Sequence, residues 1–108
     1  MFYIDEENNI YLTRGDSATL ELTIYDDEGK IYTPTENDVI VLTIKNNVNN
    51  VDYKLRKTFE NLQLVITPQE SARFNFGEYL FDIRLINETL TDTFICDGVF
   101  TIGGGTNG

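Results

Sequence analysis

Asn75-Phe76-Gly77-Glu78-Tyr79-Leu80-Phe81-Asp82-Ile83-Arg84-Leu85 is the stretch that decides the fold. Tyr79, Phe81, Ile83 and Leu85 fall on every second position, with Leu80, Asp82 and Arg84 between them. A period of two is that of a strand with one buried face. Asn75-Phe76-Gly77 in front of it reads as a tight turn. Tyr79 stands two residues before the core position Phe81. That is the spacing of a tyrosine corner, in which a hydroxyl ties the bend between two sheets to backbone upstream. The simpler alternative makes Tyr79 one more core aromatic. In the corner reading Phe81 takes the place where antibody domains carry their second cysteine.

The same alternation extends in both directions. Toward the N-terminus, Leu62, Leu64 and Ile66 alternate after a turn at Glu60-Asn61. Thr67, Pro68 and Glu70 then form a helix-start signature, with N-cap, first-position proline and capping-box glutamate. One short helical turn is expected near Pro68-Phe74. Further back, Tyr53 to Phe59 is polar apart from Leu55 and predicts an edge strand, since edge charges discourage unwanted pairing. Asn46-Asn47 and Asn49-Asn50 mark a loop before it. Ile40, Leu42 and Ile44 are the core set of a strand near Val39 to Lys45, and Ala18, Leu20, Leu22 and Ile24 that of another. Asp26-Asp27-Glu28-Gly29-Lys30 is a turn, with Gly29 able to take positive φ. Ile10 and Leu12 predict a short first strand, with Phe2 to Ile4 beside it.

Toward the C-terminus, Asn87 to Asp92 predict a hairpin loop, and Phe94, Cys96, Phe100 and Ile102 line the last strand. Gly98 interrupts that inward row and signals a bulge or a close backbone approach. The sum is an all-β, immunoglobulin-like antiparallel β-sandwich of about seven strands. It occupies residues 1–102 as a single domain, followed by a flexible glycine-rich tail over 103–108.

The chemistry the chain lacks is as informative. Its 108 residues suit one domain, and 41% hydrophobic residues suffice for a core. There is no histidine, so triads and the usual metal sites have no base and no imidazole ligand. Cys96 is the only cysteine, which leaves no intrachain disulfide and suits a reducing cytosol. In its apolar row it reads as a buried core thiol rather than a nucleophile. The paired carboxylates a glycosidase needs appear only as acidic turns. Asp26-Asp27-Glu28-Gly29 does not follow the alternating ligands of a calcium loop. The chain is therefore expected to be no enzyme, with no catalytic, cofactor-binding or metal residues.

Net charge is −10, which repels nucleic acid and anionic membranes. Met1-Phe2-Tyr3-Ile4 followed by Asp5-Glu6-Glu7 is no signal peptide, and no run reaches the ~18 apolar residues of a membrane span. Arg14-Gly15-Asp16 spells an adhesive tripeptide but sits at a turn, and Asn87-Glu88-Thr89 fits a glycosylation acceptor. Tyr11, Tyr25, Tyr32 and Tyr53 are candidates for exposed rings, as a sugar-binding face would require.

Leu12-Thr13-Arg14-Gly15-Asp16-Ser17-Ala18-Thr19-Leu20 resembles the opening of Ig-like domains in tailed-phage structural proteins. The similarity continues in Tyr25 to Lys30, Leu64 to Glu70, Gly77 to Leu85 and Asp97 to Ile102. It is strongest to the N-terminal domain of the baseplate upper protein family. The resemblance implies a virion component, tail-, baseplate- or head-associated and made in the bacterial cytoplasm. Its expected partners are other virion structural proteins or further copies of itself. A carbohydrate-binding or adhesion module is the alternative for a sandwich of this kind.

Overall fold

The computed structural model describes residues 1–46 and 53–104. Their alternating segments become eight strands and one helix: β1 (Phe2–Ile4), β2 (Ile10–Thr13), β3 (Ala18–Glu21), β4 (Val39–Lys45), β5 (Tyr53–Thr58), β6 (Gln63–Ile66), α1 (Pro68–Ala72), β7 (Gly77–Ile86) and β8 (Thr91–Gly103). Six strands form one sheet in the order β1-β2-β8-β7-β4-β5, and β3 pairs with β6 in a second. The inner faces meet over a shared core, with Leu42, Ile44, Phe81 and Phe100 from the large sheet against Leu20, Leu64 and Ile66 from the small one. This is an all-β, immunoglobulin-like sandwich. All pairings are antiparallel except β2 with β8, which run parallel from Ile10↔Phe100 to Thr13↔Gly103.

The tyrosine corner is present. The Tyr79 hydroxyl donates to the Asn75 carbonyl at 2.9 Å and accepts the Asn75 N–H at 3.1 Å. Its ring packs edge-on against Phe74. Burial alone would not have held both polar groups of Asn75, so the hydroxyl has a task beyond that of a core aromatic.

The helix starts as its capping signature requires. Thr67 Oγ1 accepts the Glu70 N–H, and Glu70 Oε1 accepts the Thr67 N–H. Glu70 also meets Lys57 Nζ of β5 at 2.9 Å, and Lys57 reaches the Val65 carbonyl of β6. One lysine thereby joins the edge of the large sheet to the small sheet and to the helix.

The eight strands among the described residues, Phe2–Ile4 included, agree with the expected count of about seven. The structure departs from the sequence-based expectation in three places. The strand predicted from Ala18 through Ile24 is regular only as far as Glu21, and Leu22 is half-buried where Ile24 is buried. β8 runs through Gly103, one residue into the predicted tail, because Gly103 pairs with Thr13. The third concerns Cys96, which is exposed and not in the core. Against β7, β8 carries extra residues between Ile95 and Gly98 and between Thr93 and Ile95. Each extra residue reverses the inward-outward parity beyond it. Ile95 thus shares the inner side with Phe94, and Cys96 is turned outward. Gly98 is the close approach that the sequence signals: a Cβ there would lie 2.6 Å from the Phe81 ring. The loop predicted at Asn46-Asn47 and Asn49-Asn50 lies, beyond Asn46, outside the described residues, as does the tail from 105 on.

Candidate functional site

Four surfaces could carry a function: the two edges of the large sheet, its outer face, and the loop end. The edges come from the strand order, which leaves β1 and β5 of the large sheet, like β3 and β6 of the small one, each with one unpaired side. The two edges of the large sheet differ in chemistry. β5 carries Lys54, Arg56 and Lys57, with the Arg56 guanidinium 5.7 Å from the Tyr53 ring centre. β1 carries no charge, and Tyr3 and Ile4 are 46% and 45% exposed. Asp5 follows β1, but its carboxylate is occupied. It accepts the Glu7 and Asn9 N–H groups at 2.9 Å each and the Asn9 side-chain amide at 3.2 Å. The Asn9 N–H is the foremost cause holding the Asp5 carboxyl below its ordinary range.

On the outer face, Tyr3 and Tyr11 stack with ring centres 4.6 Å apart and planes 14° from parallel. The two are directly opposed across β1 and β2. Thr101 lies next in line on β8, and its Oγ1 is buried without a hydrogen-bond partner. Farther along this face, Asp82 Oδ2 lies 3.5 Å from Lys45 Nζ and 3.6 Å from an Arg84 guanidinium nitrogen, and Lys45 is also 4.0 Å from Asp97. Asp82 Oδ1 accepts the Asp97 N–H at 2.9 Å, which holds Asp97 in the left-handed region at φ 56°. Asp82, Cys96 and Asp97 each bring a ligand atom within 4.8 Å of the others. Two cations already neutralise that group, so it reads as an ion-pair knot around the bulge. The negative charge of Asp97, then burial, then Asp82 push the Cys96 thiol above its ordinary range. The exposed cysteine is therefore kept protonated rather than activated.

At the loop end the β3–β4 connection meets the β7–β8 hairpin. Asp38 joins them: it accepts the Tyr32 hydroxyl at 2.5 Å, the Asn87 amide at 3.0 Å and the Thr35 N–H at 2.9 Å. The Tyr32 hydroxyl first, then Asn87 and Thr35, hold the Asp38 carboxyl down at about 2. Asn87 Oδ1 in turn accepts the Thr89 and Leu90 N–H groups. Asn87 is thus committed to the hairpin and to Asp38, not offered as a glycan acceptor. Asp26 likewise spends its Oδ1 on the Glu28 and Lys30 N–H groups, closing the turn predicted there.

Arg14-Gly15-Asp16 is also absorbed by the fold. Arg14 Nε donates to the Phe74 carbonyl, the Gly15 N–H donates to Ser71 Oγ, and Ser71 Oγ donates to the Asp16 carbonyl. The turn is clamped onto α1, with Arg14 over the Phe76 ring. Of the tyrosines predicted as exposed, Tyr25 and Tyr53 are so at 63% and 55%, and Tyr11 and Tyr32 are half-buried. A groove of about 550 Å³ opens between β3 and the first half of β8, floored by Leu22, Ile24, Phe94 and Ile95. It exists because β2 covers β8 only from Phe100 onward. Sequence reasoning missed it, since nothing local reports where one strand stops covering another.

The fold and these surfaces define an immunoglobulin-like β-sandwich with open sheet edges. No family model, no curated protein and no solved structure matches the chain.

Proposed function

We propose that this chain is a non-catalytic assembly module that binds other proteins through its sheet edges. The observation that carries the reading is the strand order, which leaves β1 and β5 unpaired on one side each. Unpaired strands offer rows of backbone donors and acceptors, and alternate side chains then set register. The resemblance to phage Ig-like domains supports a virion setting, associated with baseplate, tail or head. The segments that carry that resemblance include the clamped Arg14-Gly15-Asp16 turn, the capped helix start and the tyrosine corner. Partners are other virion structural proteins or further copies of the chain.

Mass spectrometry of purified particles should find the chain at stoichiometric levels, and tagged protein should capture virion proteins from an infected or induced lysate. Absence from particles together with empty captures would remove the reading. Carbohydrate binding has thinner support. Tyr3, Tyr25 and Tyr53 stand on β1, at the loop end and on β5, so their rings form no common platform. Hits on a glycan array that vanish with Tyr3→Ala would bring it forward.

A further inference from the structure

We infer that β1 pairs with β1 of a second copy, antiparallel and centred on Tyr3, to make one sheet across a two-fold axis. This rests on the edge-assembly reading and names its partner. The Thr13 N–H donates to the Met1 carbonyl and the Asp5 N–H to the Asn9 carbonyl. Hydrogen-bonded pairs alternate along an antiparallel ladder, so Tyr3 with Tyr11 is the third such pair. Phe2 and Ile4 therefore turn their N–H and carbonyl groups away from β2, to the unpaired side. Centring on Tyr3 brings Phe2 opposite Ile4 of the second copy, and Ile4 opposite its Phe2. Four backbone hydrogen bonds result, and each copy supplies the same two donors and two acceptors, as a two-fold contact requires.

The side chains fit the same register. Tyr3 lies on the outer face, already stacked on Tyr11. Its counterpart would be directly opposite, in the closer, non-hydrogen-bonded kind of pair. The stack would grow from two rings to a row of four. On the other face, the exposed Ile4 would be covered by Phe2 of the second copy. Charge and occupancy select this edge over the other three. β5 presents Lys54 and Arg56, which repel a second copy of themselves, and β3 presents Glu21. β6 already gives its Val65 carbonyl to Lys57 and bridges Gln63 to Glu60, whereas β1 presents no charge. Three residues a side fall well short of the ~20–30 of a stable interface, so the contact is weak and reversible. Each copy carries a net charge of −10, so added salt should strengthen the pairing by screening.

Sedimentation equilibrium of the full chain over about three decades of concentration should show a monomer–dimer equilibrium that tightens with salt. Ile4→Pro removes one outward N–H and leaves the β2 ladder intact, and Tyr3→Lys sets two charges face to face. Each should raise the dissociation constant at least about tenfold while circular dichroism and melting stay near the parent. In a Cys96→Ser background, Tyr3→Cys should cross-link the dimer on mild oxidation. Cα atoms of such pairs lie ~4.5 Å apart, within disulfide reach. Tyr53→Cys on β5 should stay monomeric in the same background. A wild type that is monomeric throughout would overturn the inference, as would a dimer indifferent to Ile4→Pro or one lost on Lys54→Glu. If the wild type is monomeric yet still enters particles, the inference fails and the assembly reading survives. If it dimerises through β1 but is absent from particles and captures no virion protein, the virion reading fails and the inference survives.

Discussion

At the scale of single residues, three positions show how local chemistry sets stability and reactivity. Tyr79 is 8% exposed, and its hydroxyl both donates to and accepts from Asn75. Tyr79→Phe keeps the ring and orphans both groups, so urea unfolding should show a loss of ~1–3 kcal/mol. Gly98 owes its identity to the Phe81 ring. An added methyl has no room at 2.6 Å from that ring, and a buried phenyl has few other rotamers. Gly98→Ala should cost ~1–3 kcal/mol by overpacking, and Phe81→Leu in the same chain should recover part of it. Cys96 is exposed but disfavoured as a thiolate by Asp97. A disulfide reagent should label it without denaturant, and the labelling rate should keep rising with pH beyond the ordinary thiol range. Asp97→Asn should move that profile toward lower pH. Labelling that requires unfolding would contradict the outward orientation.

At the scale of elements, the short helix matters for what it holds. Ser71 is fully buried, and its hydroxyl serves Gly15 and Asp16 at once. It fastens the β2–β3 turn to α1. Ser71→Ala would leave the Gly15 N–H and the Asp16 carbonyl with no partner on α1, costing ~1 kcal/mol by thermal or urea unfolding. Exchange of the Gly15 amide hydrogen should accelerate in that variant, because its acceptor is gone. The Arg-Gly-Asp tripeptide thus clasps the β2–β3 turn to α1. The β6 turn shows a different constraint. Asn61 and Leu62 both take positive φ, at 51° and 64°, in the two-residue turn closed by Glu60 and Gln63. Asparagine tolerates that region, but leucine does so at a cost. The half-buried Leu62 side chain, packed on the core, offsets it.

At the scale of the whole molecule, one carboxylate couples the two loops at one end. Asp38 titrates at about 2, below its ordinary 3.8, because Tyr32, Asn87 and Thr35 all donate to its charged form. A carboxyl lowered by folding contributes stability that is complete above its unfolded value and fades as pH falls through the folded one. The contribution should therefore be whole above about pH 5 and gone only by about pH 1, below the folded value. Melting temperatures of wild type and Asp38→Asn should differ most near neutrality and converge as pH falls through about 2. A gap that is constant with pH would show that the network acts through shape alone. Glu70 follows the same direction: burial raises its carboxyl, but Lys57 and the Thr67 N–H bring it below the ordinary range. Acid should thus loosen the loop end and the β5–α1 contact together.

Most of the fold is legible in the chain because alternation is a local property. Ile40, Leu42 and Ile44 must face one side of any strand they form, and Thr67-Pro68-Gln69-Glu70 can cap a helix with no outside help. The tyrosine corner is legible for the same reason, as donor and acceptor lie four residues apart. What depends on distant residues was out of reach. The outward turn of Cys96 follows from bulges, and a bulge is defined only against the partner strand. The clasp of Gly15 by Ser71 spans 56 positions, and the unpaired side of β1 exists only because β2 lies between it and β8. Side-chain periodicity and capping act over a few residues and are written in order along the chain. Register, edges and grooves are relations between strands, settled when the two sheets close on their core.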